Sequence, residues 1–271
     1  MDKAVCDIFS AEGIEFFAPV PMKYCRVTRE DLILRGGIEK PETAIVFLIP
    51  YFTGAEEGNI SLYARSLDYH LFCAELFPRI CEKLSSVFGG RFIGFADKSP
   101  IDEIDAAARG GLGVIGDNHM LINEKYGSFV FIGEVITDVA PEALSCDADG
   151  AFEPKSCPHC GECGKVCPKA AHGECLSAVT QKKGELSAEE ISYIGEYGSA
   201  WGCDICQTVC PLVKKAVSSG NVTPIGFFYR DRINDISSGT LSRMSDEDFK
   251  KRAFSWRGRG TVLRNLEILK K

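Results

Sequence analysis

The sequence lacks any long apolar run: none of its segments reaches eighteen consecutive apolar residues, which excludes an ordinary transmembrane helix. Its first residues, Met1 to Asp7, also lack the basic and then apolar order of a secretory signal peptide. Internal repeats and low-complexity segments are missing as well. We therefore expect a protein that does not associate with membranes and stays in the cytoplasm.

An overall excess of basic residues is also absent, since the net charge is -7. This balance argues against a protein that binds nucleic acid over its whole surface. Residues 250–271 differ from the rest of the chain in charge, because they include eight basic residues and a single acidic residue, Glu267. On charge alone, this basic tail predicts either a phosphate-binding surface or a solvated helix.

Cysteine, in contrast, is abundant, with thirteen residues. Without an export signal, the reducing compartment favours metal ligation or free thiols over disulfides. Five cysteines are scattered and are predicted to be buried small hydrophobes or idle thiols: Cys6, Cys25, Cys73, Cys81 and Cys146. The other eight crowd into residues 157–210.

Residues 1–145 predict a mixed α/β domain. Apolar runs of strand length occupy residues 44–49, 91–96 and 128–136. Between the first two, an apolar residue recurs every fourth position and predicts a helix: Phe72, Leu76, Ile80 and Leu84. Pro78 should kink this helix or end it early.

Composition divides the chain into three parts. The stretch 145–156 is rich in Asp, Gly and Pro and has no periodicity, so it predicts a domain junction. We therefore expect domains at 1–145, 146–222 and 223–271, the last a short helical tail. Within the second, Ser187 and Glu190 form a capping-box pattern that predicts a helix start. In the third, Ser245 and the acidic residues 246–248 predict the start of a further helix.

The cysteine spacing predicts two [4Fe–4S] clusters. Cys157-x2-Cys160-x2-Cys163-x3-Cys167-Pro168 is the bacterial ferredoxin pattern, in which the fourth cysteine ligates the other cluster. Cys203-x2-Cys206-x3-Cys210-Pro211 repeats its closing half, and Cys175 can supply the missing ligand. By this logic one cluster takes Cys157, Cys160, Cys163 and Cys210, and the other takes Cys167, Cys175, Cys203 and Cys206.

A pair of zinc sites is the alternative reading, because paired cysteines at this spacing also suit tetrahedral Zn²⁺. A zinc site does not require the last cysteine of each group, the one followed by proline, to ligate the neighbouring site. Iron–sulfur clusters are therefore the main prediction. Two clusters imply electron transfer. The simplest protein of that kind is a ferredoxin-like carrier whose first domain only docks a partner.

Two further patterns attract attention in residues 1–145. Gly111, Gly113 and Gly116 match G-x-G-x-x-G, but a helical pattern precedes them where a dinucleotide site requires a strand. Asp97 follows a predicted strand, where it is either a functional carboxylate or a turn residue.

Together these segments resemble the epoxyqueuosine reductase family, which uses cobalamin and iron–sulfur clusters to complete queuosine in tRNA. The resemblance rests on residues 63–70, 97–100, 107–116 and 126–134, on both cysteine groups, and on residues 201–207. It implies an α+β protein with a cobalamin-binding domain like that of reductive dehalogenases, followed by a ferredoxin-like module.

The resemblance also implies site residues and partners. Asp97 matches the family's proton donor, and burial at a strand end would raise its pKa enough to donate. Contacts to cobalamin are implied for a further set: Arg65, Tyr69, His70, Gly111, Gly113, Gly116 and Ser128. A ferredoxin or flavodoxin would donate electrons, and the basic tail would contact tRNA phosphates.

Three departures leave the substrate open. The family has an Arg where this chain has Ile104 and a Lys where it has Asp117. Its C-terminal helical repeats would begin near residue 264, so we expect a short member without most of them. A cobalamin and iron–sulfur reductase with another substrate is therefore an alternative.

Overall fold

The structure is a computed structural model that describes residues 2–270. Its strands are β1 Phe17–Pro21, β2 Thr43–Pro50, β3 Phe92–Ala96, β4 Val114–Ile115, β5 Leu121–Ile122 and β6 Val130–Thr137. The helices of the first half are α1 Lys3–Ala11, α2 Glu30–Arg35, α3 Tyr69–Phe88 and α4 Glu103–Arg109. Those of the second half are α5 Glu162–Val166, α6 Lys169–His172, α7 Leu176–Thr180, α8 Ala188–Tyr197, α9 Ile205–Thr208, α10 Pro211–Ser218, α11 Ser238–Arg243, α12 Asp246–Lys250 and α13 Arg259–Ile268.

Four strands form one sheet in the order β1-β2-β6-β3, and every neighbouring pair is antiparallel. The three predicted strands are confirmed as β2, β3 and β6. Because the sheet has no parallel pair, the first domain is built as α+β and not as parallel βαβ units.

The central strand β2 is buried along its whole length. Its odd-numbered residues, such as Phe47, pack with α1 and α3 on one face, and its even-numbered residues, such as Val46, pack with α4 on the other. A strand covered on both faces needs apolar side chains at every position. This explains why the run at 44–49 shows no alternation.

The prediction that Pro78 ends its helix early is wrong, since α3 continues for twenty residues through it; a kink at Pro78 stays a prediction. Leu76, Ile80 and Leu84 are fully buried against the sheet, whereas Pro78 lies on the exposed face. The burial of this apolar face offsets the hydrogen bond that proline cannot donate.

The segment 223–271 is packed onto the other two parts. Phe254, Val262 and Leu266 are buried in one apolar cluster with Ile60 and Trp201. The capped starts predicted at Ser187 and Ser245 are confirmed at α8 and α12. The three domain boundaries stay a prediction. Within residues 2–270, no helix has the length and apolar character needed to cross a membrane.

Candidate functional site

A cavity of about 700 Å³ opens at the end of β3, between the sheet and the C-terminal segment. The strand β6 supplies an apolar wall with Val130, Phe131 and Ile132. Its polar lining includes Tyr63, Gln181 and a group of titratable side chains at the end of β3: Asp68, Tyr69, His70, Asp97, Lys98 and Glu103. Three of the predicted site residues, Tyr69, His70 and Asp97, are thus brought together.

Helix α3 places the imidazole of His70 between two carboxylates. Asp68 caps the helix by accepting the backbone N–H of His70 at 3.0 Å, and its Oδ1 lies 2.8 Å from Nδ1 of the ring. On the other side, Nε2 lies 3.7 Å from Oδ2 of Asp97. These two acidic neighbours raise the pKa of His70 to about 9, so the ring is a cation at neutral pH.

The prediction of a raised pKa for Asp97 is wrong for this structure. Its side chain is 61% exposed, and the interaction with His70 holds its pKa below the ordinary value, against the opposing effect of partial burial. The backbone of Asp97 adopts a left-handed φ of 65°, which is uncommon for a residue other than glycine. Asp97 therefore enters the pocket as a carboxylate on a sharp turn.

Two buried glutamates lie beneath this turn, and sequence reasoning missed both. Glu103 opens α4 and has its pKa raised to about 7, first by burial and then by the charge of Asp97. Glu134, in the middle of β6, has no solvent exposure and its pKa is raised well above the ordinary range by burial. For Glu134, the sequence did contain a signal of a functional role, namely an acidic residue within the apolar run 128–136.

Next to this pocket, four cysteines line a cavity of about 140 Å³: Cys157, Cys160, Cys163 and Cys210. They are the set that the spacing assigns to one cluster. The cavity is purely apolar apart from the thiols and the turn at residues 116–118. At the edge of this set, Nδ1 of His159 lies 2.7 Å from Oδ1 of Asp117, and ligand atoms of these two residues and of Cys157 lie within 4.8 Å of one another.

The remaining four cysteines are also neighbours in space. The thiol of Cys206 interacts electrostatically with those of Cys167 and Cys175, and Cys203 does so with Cys206 and Cys175. The thiol of Cys206 also interacts electrostatically with that of Cys163, which belongs to the first set. Four thiols are the donor set that a [4Fe–4S] cluster requires. The first set surrounds an apolar cavity that fits this cofactor, and the second set fits it in the number and kind of its donors.

A single hairpin separates the cysteine cavity from the Asp97 pocket. Leu121 of β5 lines the pocket, and the next residue, Ile122, lines the cysteine cavity. This follows from the alternation of side chains along a strand. Gly113 permits the hairpin to close, because a Cβ there would lie 2.6 Å from the carbonyl oxygen of Ile122.

The other residues implied for cobalamin contact lie outside the Asp97 pocket. Gly116 lines the cysteine cavity, Gly113 lies in the hairpin, and Gly111 occupies a turn with φ of 73°. Arg65 is buried and donates to the backbone carbonyls of Ile60 and Glu56. For these glycines and Arg65, the structure supports a role in the backbone architecture.

Ser128 belongs to a buried network that joins the sheet domain to the cysteine module. Its hydroxyl donates to Oε1 of Gln207 at 2.8 Å, and the amide of Gln207 donates to Asp204 at 3.0 Å. Asp204 in turn accepts from the hydroxyl of Ser61 at 2.6 Å and from the backbone N–H of Leu62 at 2.7 Å. Asp204 lies between Cys203 and Cys206, so this network positions both thiols.

A second cavity, of about 800 Å³, lies on the far side of this network and is lined by Arg65, Asp204 and Cys203 among mainly apolar residues. Of its five charged residues, Glu56, Arg65 and Asp204 are already engaged in hydrogen bonds within the protein, and Glu57 and Lys214 are exposed at the surface. It therefore offers few free polar groups for catalysis, and the Asp97 pocket is the better candidate despite its smaller volume.

Most described cations of the basic tail are used within the fold. Arg252, Arg259 and Arg264 donate to backbone carbonyls, while Lys251 and Lys270 pair with nearby carboxylates. Lys271 lies outside the described residues.

Trp256, which lies between α12 and α13, is a different case. Its ring is 57% exposed and lines the Asp97 pocket. The guanidinium of Arg257 lies 3.7 Å from the ring centroid, a cation–π distance. The tail thus presents an aromatic ring and a cation at the pocket rim.

A scan against protein-family models finds none that matches the chain. Curated relatives are found, however, and they carry one name. An epoxyqueuosine reductase of Gloeobacter violaceus is 32% identical over 205 residues, which cover 72% of this chain and 62% of that protein. One from Pseudomonas aeruginosa is 30% identical over 204 residues, covering 72% and 54%. The chain thus spans somewhat more than half the length of these relatives.

Solved structures give the same picture for the fold. The epoxyqueuosine reductase of Streptococcus thermophilus superposes with a TM-score of 0.75 at 21% identity, covering 98% of this chain and 79% of that one. A crystal structure of epoxyqueuosine reductase with an epoxyqueuosine-modified tRNA-Tyr stem loop gives 0.77 at 22% identity, with coverage of 98% and 79%. By sequence and by fold together, the chain is related to the epoxyqueuosine reductases.

Proposed function

We propose that this protein is an iron–sulfur oxidoreductase that reduces the epoxide of epoxyqueuosine in tRNA to the alkene of queuosine. One observation carries the proposal. A pocket of titratable side chains and a cavity lined by four cysteines lie on opposite sides of one strand, β5. Electrons from a cluster therefore have a short path to a place where protons are available.

The eight cysteines would hold two [4Fe–4S] clusters, and an external carrier such as a ferredoxin or flavodoxin would supply the electrons. Cys160 and Cys175 are exposed, one from each predicted set. Each cluster would therefore have an edge at the surface, where a one-electron partner can approach.

The Asp97 pocket has the volume of a site for a drug-sized ligand, about 700 Å³, so it would receive only part of a ligand as large as cobalamin, against its apolar wall. When bound, cobalamin would supply a strongly reducing cobalt centre. Phe131 and Tyr69 form a stacked pair on one wall, with centroids 3.9 Å apart, and would bind a planar group by apolar contact. Burial raises the pKa of Tyr69, so its hydroxyl stays a donor.

The side chains of this chain would manage the protons. His70 holds a proton at neutral pH and faces the carboxylate of Asp97 at 3.7 Å. A proton can pass from the imidazolium to Asp97 as the epoxide oxygen develops negative charge, and from Asp97 to that oxygen. Asp68 fixes the ring through its 2.8 Å contact with Nδ1, which leaves Nε2 as the nitrogen facing Asp97.

For the RNA, the pocket rim offers the ring of Trp256 and the cation of Arg257. Unstacked bases of RNA loops are bound by aromatic side chains, and their phosphates by arginine. This contact replaces the wider phosphate-binding surface expected of the tail, because the arginines at 252, 259 and 264 donate to backbone carbonyls.

Because these arginines are already bound within the protein, a second candidate function is a reductase with the same cofactors that acts on a smaller substrate than tRNA. The two are separated by offering the modified stem loop and its isolated nucleoside to the same preparation. Preference for the nucleoside would support the smaller substrate.

The main proposal is tested with protein reconstituted without oxygen, supplied with cobalamin and a one-electron donor, and given a stem loop that contains epoxyqueuosine. We expect queuosine among the digested nucleosides. A Cys203→Ser variant should lose the conversion, whereas Cys6→Ser, which changes a cysteine of α1 outside both sets, should keep it. Intact clusters and bound cobalamin without any conversion would contradict the proposal.

A further inference from the structure

Glu103 has unsatisfied hydrogen-bonding capacity inside the candidate active site. It lies in the first turn of α4, which Asp102 caps, and its side chain lines the Asp97 pocket. The backbone N–H of Asp97 donates to its carboxyl group. Its Oε2 is buried and has no hydrogen-bond partner within residues 2–270. An ionised carboxylate in this position would leave a buried charge unpaired.

The charged groups that act on Glu103 are acidic, and the two cations of the same pocket, His70 and Lys98, interact with Asp97. Asp97 approaches from the turn after β3, Asp102 from the helix cap, Glu134 from β6 and Tyr69 from α3. The next residue along α4 is Ile104, which adds no charge. Burial and these neighbours raise the pKa of Glu103 to about 7, so a large share of the molecules carry a proton on this carboxyl at neutral pH.

The proposed reaction needs two protons. Converting an epoxide to an alkene breaks both carbon–oxygen bonds and releases the oxygen as water, which consumes two electrons and two protons. The electrons come from the external one-electron donor through the clusters. His70 and Asp97 share one proton between them, because His70 keeps Asp97 ionised. A second proton therefore needs another source.

We propose that Glu103 is this second source: its buried carboxyl gives one proton to the departing oxygen, while the His70–Asp97 pair gives the other. The assignment rests on the proposed function. It also explains why a glutamate without a cationic partner opens α4 at the base of the pocket. After turnover the Glu103 carboxylate regains a proton from solvent through the open side of the pocket.

The test compares wild type, Glu103→Gln, Glu103→Asp and the control Glu75→Gln, which alters an exposed residue of α3. Single-turnover rates are measured against pH on the modified stem loop. General acids contribute about 100-fold or more to such rates, so Glu103→Gln should be slowed by about 100-fold. Its rate should also lose the decline that wild type shows as the pH rises through about 7. Glu103→Asp should recover part of the rate.

A second readout needs no substrate or cofactor. Carbon-13 NMR of glutamate side-chain carboxyls in the cluster-free protein should reveal one carboxyl that titrates near pH 7 and vanishes in Glu103→Gln. A Glu103→Gln variant with the rate and pH profile of wild type would overturn the inference, as would the absence of such a carboxyl in wild type. If wild type itself fails to convert the stem loop, the proposed function fails, and the NMR titration still decides whether Glu103 holds a proton.

Discussion

Replacing Asp204 with alanine should destabilise the fold and empty one of the two predicted cluster sites. Its carboxylate is partly buried and accepts hydrogen bonds from Ser61, Leu62 and Gln207 at 2.6, 2.7 and 3.0 Å. The first two lie in the sheet domain and the third in the cysteine module. Alanine removes all three acceptor contacts and leaves the backbone N–H of Leu62 without a partner.

The magnitude follows from two opposing effects. Hydrogen bonds to a charged group each contribute about 1.5 to 3 kcal/mol, so three of them set an upper limit well above the net value. Burial raises the pKa of Asp204, which means that desolvation of the charge offsets part of this gain. A net loss of about 3 kcal/mol in the free energy of unfolding is expected.

The assay has two parts, both anaerobic. Urea denaturation of the cluster-free protein gives the stability, and iron analysis after reconstitution gives the cluster content. We expect iron to fall from about eight to about four atoms per chain, because Cys203 and Cys206 flank the lost anchor. The control Asp149→Ala removes an exposed ion pair with Lys23 and should change stability by no more than about 0.5 kcal/mol. An Asp204→Ala protein with an unchanged midpoint and full iron would refute the reasoning.

Three further predictions concern the pocket and its hairpin. The pKa of His70 is raised to about 9, so its contacts stabilise the fold fully below pH 6.5 and lose this effect as the pH rises through 9. The difference in the free energy of unfolding between wild type and His70→Gln should therefore shrink between pH 6.5 and 9. A difference that stays constant over this interval would contradict the prediction. Trp256→Ala should weaken binding of the modified stem loop by about 1 to 3 kcal/mol at fixed salt, with Trp256→Phe retaining most of the affinity; equal binding by all three proteins in fluorescence anisotropy would exclude the stacking role. Gly113→Ala should lower stability by about 1 to 3 kcal/mol, because its Cβ would lie 2.6 Å from a carbonyl oxygen, whereas Gly260→Ala, with open space around it, should be neutral or stabilising in thermal unfolding.

Much of the local structure could be predicted because it depends on near neighbours in sequence. The apolar runs became the strands β2, β3 and β6, and the capping patterns at Ser187 and Ser245 became helix starts. Pro78 does not end α3, because packing of the opposite helix face against the sheet outweighs a local preference. The antiparallel order of the strands depends on long-range pairing, which periodicity does not report.

In the candidate site too, features that depend on local sequence could be predicted and features that depend on long-range contacts could not. Spacing alone grouped the cysteines into two sets of four, since loop geometry limits which thiols can share a cluster. Of the three side chains that meet in the pocket, Asp97 was a candidate from its place after a predicted strand, and the family resemblance implied roles for Tyr69, His70 and Asp97. The lowered pKa of Asp97 and the raised pKa of Glu103 depend on burial and on distances between segments remote in sequence. No local pattern carries that information.

The central claim is that eight thiolates bind two iron cubanes beside a substrate pocket. Anaerobic reconstitution followed by iron, sulfide and zinc analysis, with electron paramagnetic resonance of the reduced protein, tests it most directly. The account predicts about eight iron and eight sulfide per chain and the signal of two interacting reduced clusters. Stoichiometric zinc without sulfide, in protein prepared without oxygen, would contradict it.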